Sequence, residues 1–204
     1  MLTLGALASL TVVLTVVALR LIVSPVHCGF YCGPHLAPRL AGAHSFTDTK
    51  WGFVVDYDTA QFALHTSDPN ADTVDLTALD PRGRQLGEIE FIAMRATATQ
   101  QAIQSTLQNV FPSSRFSDPK PVGPVSGAEI GLIPGDGTGY LADQRGTSGA
   151  SANQDGIMIL ASTHGNVTIV AAMWSLYDQQ GDAPFYLLAD LWFDSVITNL
   201  HFTS

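Results

Sequence analysis

The chain has 204 residues, of which 46% are hydrophobic, and a formal net charge of -9 at pH 7 with only two lysines. Such an acidic chain repels phosphate backbones and anionic membrane surfaces, so we exclude nucleic acid as a partner. Once the N-terminal apolar run and the Pro- and Gly-rich stretch after it are set aside, about 155 residues remain, enough for one domain with one core.

The run Leu2–Val23 is almost uninterrupted apolar sequence. As a helix it would be roughly 33 Å long, which exceeds the hydrocarbon thickness of a bilayer. Its one charge, Arg20, lies near an end from which it can reach the headgroups. No basic residue precedes the run and no small-x-small cleavage site follows closely. We therefore predict an uncleaved transmembrane anchor at residues 1–23, with a cleaved signal peptide as the alternative.

The orientation of the anchor follows from two opposing considerations. Arg20 and Arg39 lie on the domain side of the run, and positive charge normally stays in the cytoplasm. Long domains, however, translocate largely regardless of charge. We expect a single-pass protein of the cell membrane with its domain on the extracytoplasmic side.

Residues 24–50 are rich in Pro, Gly and His and lack a period, which indicates a juxtamembrane linker. The linker holds both cysteines of the chain, and His27, Cys28, Cys32 and His35 could supply a tetrahedral metal shell. Their spacing departs from the paired C-x2-C pattern, and no second ligand pair follows. We therefore expect no metal here and favour a disulfide, within the chain or between neighbouring anchors, with inert thiols as a further alternative.

Three segments after the linker alternate between apolar and polar residues, the pattern of half-buried strands: Trp51–Asp58, Thr73–Leu79 and Glu88–Met94. The turn residues around Pro81 join the last two, so we predict an antiparallel meander. From Thr99 to Phe111 the apolar period becomes helical, and Pro112 ends the predicted helix.

After a Pro-rich connection, Ala128–Ile133 and Tyr140–Gln144 are weaker strand candidates. The next two strands, Ile157–Ser162 and Val167–Trp174, are apolar on both faces and must be covered on both. A C-terminal helix is predicted to begin at Asp182 as N-cap, with these residues inward: Phe185, Leu188, Leu191, Trp192, Val196 and Leu200. Residues 51–204 are therefore expected to form an α+β domain, a three-layer α/β/α sandwich with a mainly antiparallel sheet.

The domain opens with Trp-Gly-Phe-x-Val-x-Tyr at Trp51–Tyr57 and closes with a helix that ends in the segment Phe193–Phe202. With the meander, the mid-chain helix and the closing hairpin, this order resembles the PsbP/Mog1-like superfamily over about residues 46–202. The Tyr-Pro-x-x-Trp type of turn common in these domains is replaced here by Tyr57–Phe62. The resemblance implies a binding or assembly role rather than a shared reaction.

Catalytic signatures are weak along the whole chain. The six histidines form no paired ligand spacing, and no Gly-x-Ser-x-Gly motif is present. The acidic pairs Glu88/Glu90 and Asp56/Asp58 could divide acid and base work, but on an exposed strand face we interpret them as ordinary solvated residues. The Gly-rich segment Gly131–Gly156 is the predicted functional loop, since long irregular segments often bind partners.

These observations favour a membrane-anchored extracytoplasmic binding or adaptor domain with no catalytic activity and no cofactor. Its expected partners are membrane lipid, through the N-terminal helix, and a protein or small ligand. The alternative is an accessory metal-binding or redox protein that uses the cluster His27, Cys28, Cys32 and His35. A hydrolase built on the acidic pairs is the least favoured hypothesis, given the missing motifs.

Overall fold

The structure, a computed structural model, describes residues 43–109, 116–144, 154–175 and 193–203. Its strands are β1 (His44–Asp48), β2 (Phe53–Tyr57), β3 (Phe62–Leu64), β4 (Thr73–Leu79), β5 (Gln85–Arg95), β6 (Phe116–Pro124), β7 (Glu129–Ile130), β8 (Ile133–Gln144), β9 (Gln154–His164), β10 (Val167–Ser175) and β11 (His201–Phe202). Helix α1 covers Thr99–Asn109, and residues 193–198 form a C-terminal helical segment. The fold is α+β and mainly antiparallel sheet.

No helix in the described ranges is long and apolar enough to cross a bilayer. The predicted anchor at residues 1–23 lies outside those ranges.

The larger sheet has the strand order β3-β4-β5-β10-β9-β8-β6, with β7 paired to β8 beside it. A smaller sheet has the order β1-β2-β11, and the neighbouring strands in both sheets are antiparallel. Strand β1 lies within residues 24–50, the range assigned to the linker, so the end of that range is sheet. Only Phe46 and Asp48 are buried in β1, which explains why its sequence carries no strand signal.

The larger sheet is apolar on both faces, as its central strands predict. In β9, Met158 and Leu160 join one buried cluster, while Ile157 and Ile159 join the other. Because successive side chains of a strand point to opposite faces, the two clusters lie on opposite sides of the sheet.

Helix α1 covers one of these faces. It packs against β8, β9 and β10 and buries Ala102, Ile103 and Thr106. The opposite face packs against the smaller sheet, through residues such as Phe53, and against the C-terminal helical segment, through Ile197. The sequence predicts only a helix on this second face and does not predict the smaller sheet.

The Gly-rich segment Gly131–Gly156 contains a strand where a functional loop was predicted, because residues 133–144 form β8. A Cβ at Gly135 would lie 2.0 Å from the carbonyl oxygen of Ala161, and one at Gly137 would lie 2.6 Å from Cδ2 of Leu160. These two glycines therefore allow close packing against β9. Residues 145–153 of the segment lie outside the described ranges.

Candidate functional site

A polar strip runs along β4 and β5 on the face of the larger sheet that α1 also contacts. Asp75 pairs directly with Glu90 across the two strands, and Thr77 pairs with Glu88. Cβ atoms of directly opposed residues are about 5 Å apart. The antiparallel register therefore places three carboxyl groups within a short stretch of one face.

The strip borders a cavity of about 250 Å³. Among the described residues, its lining consists of His65, Asp75, Leu76, Thr77, Glu88, Ile89, Glu90 and Trp174. Trp174 comes from β10, the strand that pairs with β5 on the edge opposite to β4. It lies directly across from Glu88 and is only 8% exposed. Because α1 packs on β8, β9 and β10, the cavity lies beside the helix, over β4, β5 and the end of β10.

Two carboxyl groups in the cavity, those of Glu90 and Asp75, have raised pKa values. Burial, followed by the charges of Asp75 and Glu88, raises the pKa of Glu90 from 4.5 to about 7. Burial also raises the pKa of Asp75, with Glu88 acting in the same direction and His65 opposing it. Because desolvation and like charge both disfavour the ionised forms, Glu90 and Asp75 hold their protons more strongly than free carboxylic acids do.

His65 is fixed at the exposed side of the cavity by two contacts. Its Nε2 lies 2.7 Å from Oγ1 of the buried Thr77. Its backbone N–H donates to the carbonyl oxygen of Asp75 over 2.9 Å. The imidazole is therefore held beside the carboxyl groups.

The metal site considered from the sequence cannot be placed, since His27, Cys28, Cys32 and His35 lie outside the described residues. Within the described ranges, no group of three or more His, Cys, Asp or Glu side chains is arranged to hold a metal ion.

The second acidic pair from the sequence does not form a site. Asp56 accepts a hydrogen bond from Ser45 Oγ over 2.5 Å and lies 3.7 Å from Nδ1 of His201. Asp58 accepts from the backbone N–H of Ala60 over 2.8 Å and so stabilises a turn. His164 is exposed, and its ring stacks on that of Phe202 in the smaller sheet.

Glu88 and Glu90 differ from the solvated pair predicted from the sequence, because both are half-buried. The sequence indicated only some features of the other residues that line the cavity. Alternation in β4 placed Asp75 and Thr77 on its polar face, but no local pattern showed that this face adjoins Glu88 and Glu90. Trp174 carried no polar signal at all, since β10 is apolar on both faces.

No protein-family model matches the chain, and no curated protein matches it. Among solved structures, the chain is similar to a crystal structure from Bacteroides thetaiotaomicron, with a TM-score of 0.43 and 13% sequence identity. That match covers 76% of this chain and 46% of the other, so the chain spans a little under half the length of that protein. We therefore base the function on the cavity.

Proposed function

We propose that this protein is a membrane-anchored binding domain without catalytic activity, and that the cavity beside α1 is its ligand site. The observation that carries the proposal is a cavity of about 250 Å³. Its lining includes carboxyl groups from two strands and a buried indole. A preformed pocket with a few convergent polar groups and perturbed acidities is the usual form of a small-molecule site.

The membrane part of the proposal is supported by the sequence. Residues 1–23 would span the bilayer once, residues 24 to about 43 would connect the anchor to β1, and the domain would face the extracytoplasmic side. The PsbP/Mog1-like resemblance and the three-layer α/β/α description belong to the same proposal. They are supported by a sheet that packs against helical residues on both faces. The Cys/His alternative gains no support from the described residues.

Ligand-observed NMR tests the cavity as a binding site. The full chain, kept in mild detergent, is mixed with a fragment library that contains cationic, neutral and anionic compounds. The variant Thr77→Phe places a ring in the cavity, and Thr47→Phe is the matched control on the exposed side of β1. Fragments that bind the wild type and the control but not Thr77→Phe support the proposal. If no fragment is lost selectively in a folded Thr77→Phe variant, the cavity is not the ligand site.

Membrane anchoring is tested separately by alkaline extraction of membranes and by protease treatment of intact cells. Retention in the extracted membranes, with the domain degraded from outside, supports the anchor and its orientation. Release of the full chain into the alkaline supernatant would contradict the anchor. Protection of the domain in intact cells would contradict the orientation.

A further inference from the structure

The turn between β1 and β2 (residues 49–52, the β1–β2 turn) is docked on the last part of the connection between β3 and β4 (residues 69–72, the β3–β4 loop). The backbone N–H of Thr49 donates to the carbonyl oxygen of Pro69 over 2.7 Å. The hydroxyl group of Thr49 lies 2.9 Å from Oδ1 of Asn70. These bonds attach the smaller sheet to a connection of the larger sheet.

Asp72, at the end of the β3–β4 loop, receives two further contacts from the turn. Nζ of Lys50 lies 2.5 Å from its Oδ1, and Nε1 of Trp51 lies 2.8 Å from the same atom. These bonds lower the pKa of Asp72, so this carboxyl group stays ionised to a lower pH than a free aspartate does. Because Thr49, Lys50 and Trp51 are consecutive, a change in the backbone of the turn would break their contacts with the loop together.

The shape of the turn depends on Asp48, the last residue of β1. Its Oδ1 accepts the backbone N–H of Trp51 over 2.7 Å, and its carbonyl oxygen accepts that of Gly52 over 3.1 Å. The residue is only 1% exposed, and its Oδ2 has no hydrogen-bond partner among the described residues. A buried charge with an unpaired oxygen costs more free energy than a neutral acid in the same place. Ionisation of Asp48 therefore disfavours the closed turn.

The charges that act on Asp48 come from the turn and from the loop. In the described part of the chain they are Lys50 on the β1–β2 turn and Asp72 on the β3–β4 loop. Burial has the largest effect on the pKa of Asp48 and raises it. The backbone N–H groups of Trp51 and Lys50 lower it, the charge of Asp72 raises it, and the charge of Lys50 lowers it. The pKa of Asp48 lies above its ordinary value, so burial and Asp72 outweigh the opposing effects.

We propose that the β1–β2 turn is a proton-controlled latch, which is held on the β3–β4 loop while Asp48 is protonated and opens more often once Asp48 is ionised. The folded protein keeps this proton to a higher pH than the unfolded chain, because its pKa is raised. The latch is therefore most stable in acid and weakens as the pH rises through the raised pKa. No residue of the latch is among the described residues that line the cavity, so the latch and the ligand site are tested independently.

Cleavage after Lys50 reports the opening of the latch. The chain has two lysines, and the other, Lys120, precedes Pro121, a bond that lysine-specific endoproteinase cleaves poorly. Cleavage of a backbone bond within a folded region requires local opening. The rate at which this protease cuts the bond between Lys50 and Trp51 in the full chain, kept in mild detergent, therefore measures the open fraction.

The variant Asp48→Asn removes the charge and keeps an oxygen that can accept from Trp51. At pH 8 it should be cleaved roughly fivefold or more slowly than the wild type, because the ionised buried group is absent. The matched control is Asp58→Asn. Asp58 is a half-buried aspartate that also accepts a backbone N–H within a turn, that of Ala60, but lies outside the latch. The control should be cleaved at the rate of the wild type.

Hydrogen exchange of the Trp51 indole N–H, followed by NMR, gives the pH dependence. Its protection factor is the exchange rate of a free indole divided by the observed rate at the same pH. In the wild type this factor should be roughly fivefold or more below that of Asp48→Asn at pH 8 and should approach that of the variant at pH 4.

Two results overturn the latch. The first is cleavage of a folded Asp48→Asn variant at pH 8 as fast as that of the wild type, or faster. The second is a ratio of the two protection factors that is the same at pH 4 and pH 8. If Asp48→Asn does not fold, the wild type decides. Its Trp51 protection factor must fall from pH 4 to pH 8 while that of the Ala60 amide stays constant, and a constant Trp51 factor overturns the latch.

Discussion

Replacing Glu90 by glutamine should stabilise the protein in a pH-dependent manner. Burial raises the pKa of Glu90 from 4.5 to about 7 in the folded state. Between these two values the unfolded chain releases its proton while the folded chain retains it, so the stability of the wild type falls as the pH rises through this window. Glutamine keeps the shape of the side chain and removes the titration.

The expected size follows from the pKa shift. One pKa unit corresponds to about 1.4 kcal/mol, so the whole shift would correspond to about 3 kcal/mol. Glu90 is only half-buried, and solvent screens its charge, so we expect about half of this value. Glu90→Gln should therefore raise the free energy of unfolding by about 1.5 kcal/mol at pH 8 and by almost nothing at pH 4.

Urea denaturation of the full chain in mild detergent, followed by circular dichroism at pH 4, 6 and 8, measures this difference. Glu129→Gln, a half-buried strand glutamate outside the cavity, is the control and should stay within about 0.5 kcal/mol of the wild type throughout. A gain for Glu90→Gln that is the same at pH 4 and pH 8 would refute the reasoning, because titration would then not be its source. So would a loss of stability at pH 8.

Three further changes test local features of the fold. Leu132 is 56% exposed and has a backbone φ of 64°. Leu132→Gly should therefore remove left-handed strain and raise the free energy of unfolding by up to about 1 kcal/mol. A destabilised variant would show that the leucine has a stabilising contact. Gly135→Ala should destabilise by about 1–3 kcal/mol, since the new methyl group meets the carbonyl oxygen of Ala161; an unchanged urea midpoint contradicts this. Thr168→Val should cost about 1–3 kcal/mol because the backbone N–H of Thr97 loses its acceptor 3.0 Å away, and faster amide exchange at Thr97 should accompany the loss.

Elements with a strong local period were predictable. The strand predicted at Thr73–Leu79 is β4 with the same bounds, and the helix predicted from Thr99 is α1. Both sequences repeat apolar residues at the period of their own geometry, so no distant contact is needed to recognise them.

Elements without such a period were missed. Strand β6 (Phe116–Pro124) was interpreted as a Pro-rich connection, because proline cannot donate to a sheet ladder. It lies at the edge of the larger sheet, the position where proline is tolerated. Strand β8 was interpreted largely as a loop because of its glycines, which in the structure allow β9 to approach closely.

The sequence by itself determined the local features: the acidic balance, the apolar N-terminal run, the periods of the main strands and helix, and the face on which each polar residue lies. Only the tertiary structure decided that Asp75 pairs with Glu90 and that Trp174 pairs with Glu88. The physical reason is that alternation along a strand specifies which side of the sheet a residue occupies, whereas its cross-strand neighbours depend on strand order and register. The cavity exists only because β10, distant in the chain, pairs with the β4–β5 hairpin.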